Sequence, residues 1–408
     1  MSAIAYRFHQ IRYLVYQGFR DTFPFALFLA GLEISLDLFI SNQSFLAQIT
    51  QWSIYKQSWL VFLNQGLLNF AQLLLHFIAS YFVADIIKHY LNHYHIKALM
   101  PSLLGFVTVW SLLEFGITIV TDNSRFLAQP FWLVLLLFSF VVTWISRFLD
   151  NRSCHLKTSL IILGLMGISI LTNLMIFFPS INFNEHIQQT FASLMGNGPE
   201  NLWQVMLWSV IGIVLLLGGF VVPSSLNFPH TYLTVFTENL NTTLSNTSDK
   251  LPYLYSLYTV RDSFAMVGGI GMLVSLAIAV IWESKHQQLK VKYGRIAWLS
   301  MIPLLFDHNL PFLLGLPILF QPILLVPMLL STIMAEGIGA LLLHLKWISP
   351  AVFTIPNGTP NLLLGFLASD GDWRYLIVNV LLIGLATLIY RPFIRLAFAR
   401  EAKYHEKA

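Results

Sequence analysis

The chain has 408 residues, of which 56% are hydrophobic and only 10% charged. Soluble domains are roughly 25% charged, so this composition excludes an ordinary water-soluble globule and points to a polytopic helical membrane protein. The formal net charge of +4 is too small for a nucleic-acid surface and reads as loop charge that sets topology. The lone cysteine, Cys154, excludes an intramolecular disulfide and a cysteine metal cluster.

In chain order, residues 4–19 read equally well as an interfacial amphipathic helix or a frayed basic tail, with Arg7, Arg12 and Arg20 nearby, and no cleavable leader is evident. Crossing ~30 Å of hydrocarbon takes about 20 apolar residues. Windows of that kind cover residues 23–40, 59–87, 98–120, 131–149, 156–178, 203–222, 264–282, 322–345 and 375–398. Basic residues favour the cytoplasm. They mark the N-terminus, residues 88–97, 147–157 and 283–295, and the tail with Arg391 and Arg395, as cytoplasmic. The loops agree only if a further crossing lies within residues 223–262, for about ten transmembrane helices in all. The expected fold is all-α, with residues 1–180 a scaffold half and residues 181–408 a transport half.

The transport half carries the polar intrusions. Residues 301–327 are apolar, yet hold Asp307, His308 and Asn309 in a row together with Pro303, Pro311, Pro317, Pro322, Pro327 and Gly315. Prolines at that density break a helix, and broken backbone at membrane depth lines a cavity or is buried in protein. The segment is therefore expected to be re-entrant near 301–320, with the three polar residues as ligand groups. A second re-entrant segment is expected near 350–373, where Pro356, Asn357, Gly358, Thr359 and Pro360 form a polar turn. That turn reads equally well as an extracellular loop. The Gly268-Gly269-Ile270-Gly271 run favours close helix packing over an unwound, substrate-lining backbone. Glu33, Asp37 and Glu114 fall within predicted spans, where carboxylates are functional candidates. Glu33 and Asp37 share a helix face, and a hydrated position near an interface is the favoured reading. His89, His93 and His95 read as a solvated loop rather than a metal site, and Asn241 and Asn246 open glycosylation-type triplets. No nucleotide-binding glycine loop is present, which argues against an ATP-driven pump; no cofactor and no metal are expected.

The run Phe306-Asp307-His308-Asn309-Leu310-Pro311, followed by Gly315-Leu316-Pro317, Gln321-Pro322 and Val326-Pro327, resembles the IIC permease subunits of the lactose/cellobiose/chitobiose phosphotransferase family. Their pattern there is Phe-Asn-Ile-Asn-Glu-Pro, Gly-Leu-Pro, Asn-Pro and Ile-Pro. Pro356, Thr359-Pro360, Gly365-Phe366-Leu367-Ala368, Gly371-Asp372-Trp373 and Tyr390-Arg391-Pro392-Phe393 follow in the family's order, and Gly268–Gly271 resembles its Gly-Gly-Ser-Gly. Gly18-Phe19, Pro24 and Gly31 resemble its entry motif.

The resemblance implies a homodimer of ten-span subunits in the bacterial cytoplasmic membrane, with both termini cytoplasmic. It implies uptake of a glycoside, a disaccharide such as cellobiose, for phosphorylation by a partner IIB subunit. Asp307, His308, Asn309, Asn357, Thr359 and Gly269 become the expected sugar-binding residues. Two departures stand out: the family glutamate implied to bind sugar and assist phosphorylation aligns with Leu310, and residues 208–220 contain no histidine where the family has Gly-Ile-His-Gly. No residue is therefore assigned a catalytic role. A phosphotransfer-deficient sugar sensor and an uncoupled sugar facilitator stand as alternatives.

Overall fold

The computed structural model describes residues 3–116, 132–150, 164, 198–219, 234–245, 251–285, 291–316, 318–356 and 358–405. Among these, every regular element is helical. They are α1 (Ala3–Ser35), α2 (Phe45–Thr50), α3 (Ser58–His93), α4 (Leu99–Gly116), α5 (Trp132–Asp150), α6 (Leu202–Leu217), α7 (Thr234–Ser245) and α8 (Leu273–Lys285). Then follow α9 (Val291–Leu299), α10 (Met301–Leu305), α11 (Leu310–Gly315), α12 (Leu325–His344), α13 (Asn361–Ala368) and α14 (Arg374–His405). Among the described residues, four stretches, Leu14–Thr50, Ser58–His93, Pro322–His344 and Arg374–Ala399, are long and apolar enough to cross a membrane.

The chain clusters into two compact units: Met1–Leu29 with Gly66–His186 and Gly219–Val221, and Ala30–Gln65 with Ile187–Gly218 and Val222–Ala408. In the first, α3 has no proline along its 36 residues, so nothing interrupts its hydrogen-bond ladder. At 1.5 Å per residue it extends about 54 Å, well beyond one hydrocarbon thickness. The N-terminal part of α1 lies tightly on it: a Cβ added at Gly18 would stand 2.8 Å from Ile86. Phe19, Phe82 and Trp132 stack beside that contact, with ring centroids 4.4 and 5.3 Å apart in succession.

The expected interfacial helix and first span are one continuous helix, α1, which passes into a π-helical turn at Leu36–Ile40. His89 and His93 both lie on α3 rather than in a loop. His89 faces Asp21 and Asp85 at 3.5 and 3.2 Å, so its surroundings are acidic side chains and not only solvent. Cys154, Asn246 and, apart from residue 164, the predicted span 156–178 fall outside the described residues. In the stretch expected to hide a crossing, α7 has 12 residues, about 18 Å of helix and too short to span alone. Asn241 sits on it.

The second unit is built around interrupted backbone. A π-helix covers Leu257–Ala265, and turns rather than helix follow from Met266 to Met272 before α8 begins. Non-helical backbone away from water needs partners supplied by the protein, and side chains from other elements supply them. Asn361 Nδ2 donates to the Met266 carbonyl at 2.8 Å, Asn379 Nδ2 to that of Ser263 at 3.1 Å, and the Tyr390 hydroxyl to that of Gly271 at 2.5 Å. Tyr258 and Tyr375 do the same for the Phe353 and Ser349 carbonyls, at 2.6 and 2.9 Å. Each net bond contributes about 1 kcal/mol, but leaving the buried group unpaired costs more.

At one end of this unit Glu283 is buried and accepts hydrogen bonds from Arg391 Nε and Arg395 Nε, each at 2.7 Å. The Arg391 guanidinium also lies 4.0 Å from the Trp282 ring centroid. The C-terminal end of α8 and the basic stretch of α14 therefore meet.

Candidate functional site

The segment 301–319 breaks where the sequence predicts. Helix α10 ends in a turn at Phe306 and Asp307, and α11 restarts at Leu310 with Pro311 in its first turn, a position whose missing N–H has no helical partner anyway. Asp307 adopts φ +66°. A non-glycine residue in the left-handed region costs of order 1–3 kcal/mol and persists where surrounding structure imposes it. The break presents three consecutive polar side chains instead of winding them around a helix.

Three of the predicted site residues come together here. Gly269 has φ +98°, and a Cβ placed on it would lie 2.8 Å from Asn309 Nδ2 and 3.0 Å from Asp307 Oδ1. The Asn309 amide and the Asp307 carboxylate thus rest on bare glycine backbone. Asp307 Oδ1 is buried and has no hydrogen-bond partner. Gly268 and Gly271 also have positive φ, at +84° and +87°. These angles exclude a helix, so the run is unwound backbone set against Asp307 and Asn309 and not the helix-packing stripe its composition favours. At Gly268 the turn folds back so closely that an added Cβ would lie 2.7 Å from Val274.

His308 turns to a different set of neighbours. Its Nδ1 lies 3.0 Å from Glu33 Oε2 and its Nε2 3.3 Å from Asp37 Oδ2, with the imidazole side chain only 9% exposed. The spacing of Glu33 and Asp37 allows one ring to bridge both. They are thus ion-paired to the hairpin, not simply hydrated as the sequence suggests. The turn before α13 approaches the same place: a Cβ on Gly358, at φ +70°, would come within 2.6 Å of the Asp37 carbonyl oxygen. This polar turn is packed against protein.

Thr359 is buried, but its hydroxyl donates to the Pro356 carbonyl at 2.7 Å within the turn. Its first role is therefore to hold the loop. Asn357 falls outside the described residues, and of Glu114 only the backbone is described. Leu310, standing where the resemblance implies a sugar-binding glutamate, is buried at 5% exposure.

Nothing in the periodicity singles out a further group of buried polar side chains. Arg261 Nε and Nη2 both contact Asp262 Oδ1 at 2.8 Å, and the two side chains are 3% and 4% exposed. Ser209 of α6 donates a hydrogen bond to Glu336 Oε1 of α12, and Glu336 is fully buried. Asp307 lies within electrostatic reach of Arg261 and Asp262, as does Glu336. A carboxylate midway along an apolar helix is itself a signal, and it could have found Glu336. Among the described residues, the Asp21, Asp85 and His89 trio is the one group whose ligand atoms gather closely enough to hold a metal ion.

No protein-family model matches the chain. A stretch of 133 residues is 31% identical to the PTS system cellobiose-specific EIIC component of Lactococcus lactis, covering 33% of this chain and 26% of that one. Over 270 residues the chain is 23% identical to the PTS system galactose-specific EIIC component of Lactococcus lactis subsp. cremoris, covering 64% of this chain and 55% of that one. The matched stretches thus span between about a quarter and just over half of those relatives' lengths. Among solved structures, the transporter ChbC, the IIC component from the N,N'-diacetylchitobiose-specific phosphotransferase system, aligns at 17% identity with a TM-score of 0.43, covering 96% of this chain and 95% of that one.

Proposed function

We propose that this chain, a divergent homologue of the IIC permease components of the lactose/cellobiose/chitobiose phosphotransferase family, binds a glycoside and carries it across the bacterial cytoplasmic membrane. The observation that carries this reading is the seating of Asp307 and Asn309 on the unwound Gly269 backbone. A carboxylate and an amide accept from and donate to sugar hydroxyls, and a glycine floor lets a flat ring approach the main chain. His308, held by Glu33 and Asp37, keeps the hairpin tip in place and is the third polar contact. The partner in this reading is a cytoplasmic IIB subunit that phosphorylates the sugar after passage. The remaining elements are a homodimer and cytoplasmic termini.

The test is uptake of radiolabelled cellobiose in bacterial cells that lack their own β-glucoside permeases but contain the general phosphotransferase proteins and a IIB subunit. The expected outcome is chain-dependent accumulation of sugar phosphate, lost in a variant with leucine at both Asp307 and His308. Equal uptake by that variant and the wild-type chain would sink the site.

A second reading is favoured by Leu310. A buried leucine neither binds a hydroxyl nor takes a proton, and it stands where the resemblance implies the group that assists phosphorylation. In that reading the chain senses sugar or lets it pass unmodified. Chain-dependent accumulation of free sugar, with no phosphorylated product, selects it over the first.

A further inference from the structure

We propose that Glu336, midway along α12, is a proton-binding site: the resting protein holds it as a neutral acid whose proton sits on Oε2, offered as a hydrogen-bond donor to an oxygen-bearing ligand.

The argument begins with charge balance inside apolar surroundings. Glu336 is 0% exposed on a 20-residue helix that otherwise has only His344 as a titratable group, eight positions away at its end. Arg261 and Asp262 of the π-helix act on it electrostatically, and Ser209 of α6 hydrogen-bonds to it. Helix α14 also packs on α12. It turns Asn379, Thr387 and Tyr390 inward, while its Arg391 and Arg395 are engaged by Glu283. Asp307 adds a third carboxylate within reach of the same Arg261–Asp262 pair.

Arg261 makes its two 2.8 Å contacts with Asp262 Oδ1, so that guanidinium is already neutralised by one carboxylate. An additional ionised carboxylate in such a place costs several kcal/mol, and the ordinary escape is to take up a proton. The one hydrogen bond Glu336 receives, from Ser209, goes to Oε1. Oε2 is fully buried and has no hydrogen-bond partner, and the same is true of Asp262 Oδ2. A proton from water added to Oε2 converts the carboxylate to an acid and leaves an O–H with its acceptor still open.

A metal ion fits this place poorly. A hard cation needs six or more oxygens at 2.3–2.6 Å. The oxygens of Asp262, Asp307 and Glu336 do not form a metal-sized group, whereas those of Asp21 and Asp85 do so with His89. A proton needs one oxygen only.

The experiment is infrared spectroscopy of the full chain in lipid nanodiscs at neutral pH, without sugar, so its outcome is separate from that of the uptake assay. The expected result is a protonated-carboxyl C=O band that moves in D2O, is lost in Glu336→Gln and is shifted in Ser209→Ala. Glutamine has the shape and charge of the neutral acid, so Glu336→Gln is expected to unfold within a few degrees of the wild type. No such band in the wild type, or a band that survives Glu336→Gln, overturns the proposal. If the glutamine variant does not fold, Ser209→Ala decides: an unshifted band overturns it.

Discussion

Two polar assemblies sit in the second unit, and they are solved in opposite ways. Where the segment 301–319 breaks, His308 lies within ion-pair range of both Glu33 and Asp37, although its buried Nε2 makes no hydrogen bond. Around α12, Asp262 and Glu336 are more deeply buried, yet each keeps one oxygen without a hydrogen bond. The more exposed assembly sets one imidazole between two carboxylates, whereas the more buried one leaves carboxylate oxygens open. Since desolvation makes an orphaned polar atom costlier with depth, the tip reads as structural bracing and the interior as a place left open for something to bind. Asp307 belongs to both, flanking His308 in sequence while its own Oδ1 remains unpartnered.

Removing the brace is expected to have the largest effect on stability. His308→Leu leaves Glu33 and Asp37 facing each other without the imidazole. Breaking a fully buried pair costs ~3–5 kcal/mol, and these carboxylates are 23% and 32% exposed. A loss of roughly 2 kcal/mol is therefore expected once solvent screening is counted, read as a lower thermal midpoint in detergent. Gly269→Ala comes next. It forces a Cβ into a left-handed residue and against Asn309 and Asp307, for about 1–2 kcal/mol and a sugar uptake at least about tenfold lower. Wild-type uptake by Gly269→Ala would show that this floor does not face the ligand.

Thr359→Val removes one hydroxyl bond to Pro356 and is expected to cost about 1 kcal/mol, with uptake per folded molecule unchanged. A large uptake loss without a stability loss would instead make Thr359 a ligand group. The smallest stability effect is expected from Asp307→Asn, because Oδ1 has no bond to lose. Its thermal midpoint should stay within a degree or two while uptake falls about tenfold. If stability falls and uptake holds, the contrast between brace and open site fails.

Much of the hairpin was legible before folding. Proline density between Pro303 and Pro327 announced a broken helix, and the polar triplet fell at the break. Less legible was the run Gly268–Gly271, because small residues serve close packing and positive φ equally well, and only backbone angles separate the two. Glu33 and Asp37 looked hydrated because nothing local shows that His308, far along the chain, closes on them. Arg261 and Asp262 escaped notice for another reason. They lie on a π-helix, whose wider turn changes which residues share a face, so 3.6-residue periodicity does not report them.

By itself, the amino-acid sequence determined that this chain is a helical membrane protein with a proline-broken polar segment, because apolar length and missing backbone donors are local properties. Which polar groups are satisfied and which are left open was decided only by tertiary structure. A hydrogen bond or ion pair between residues distant in sequence depends on where the backbone brings them. For Asp307, His308 and Glu336, those partners come from α1, the π-helical turns and α6.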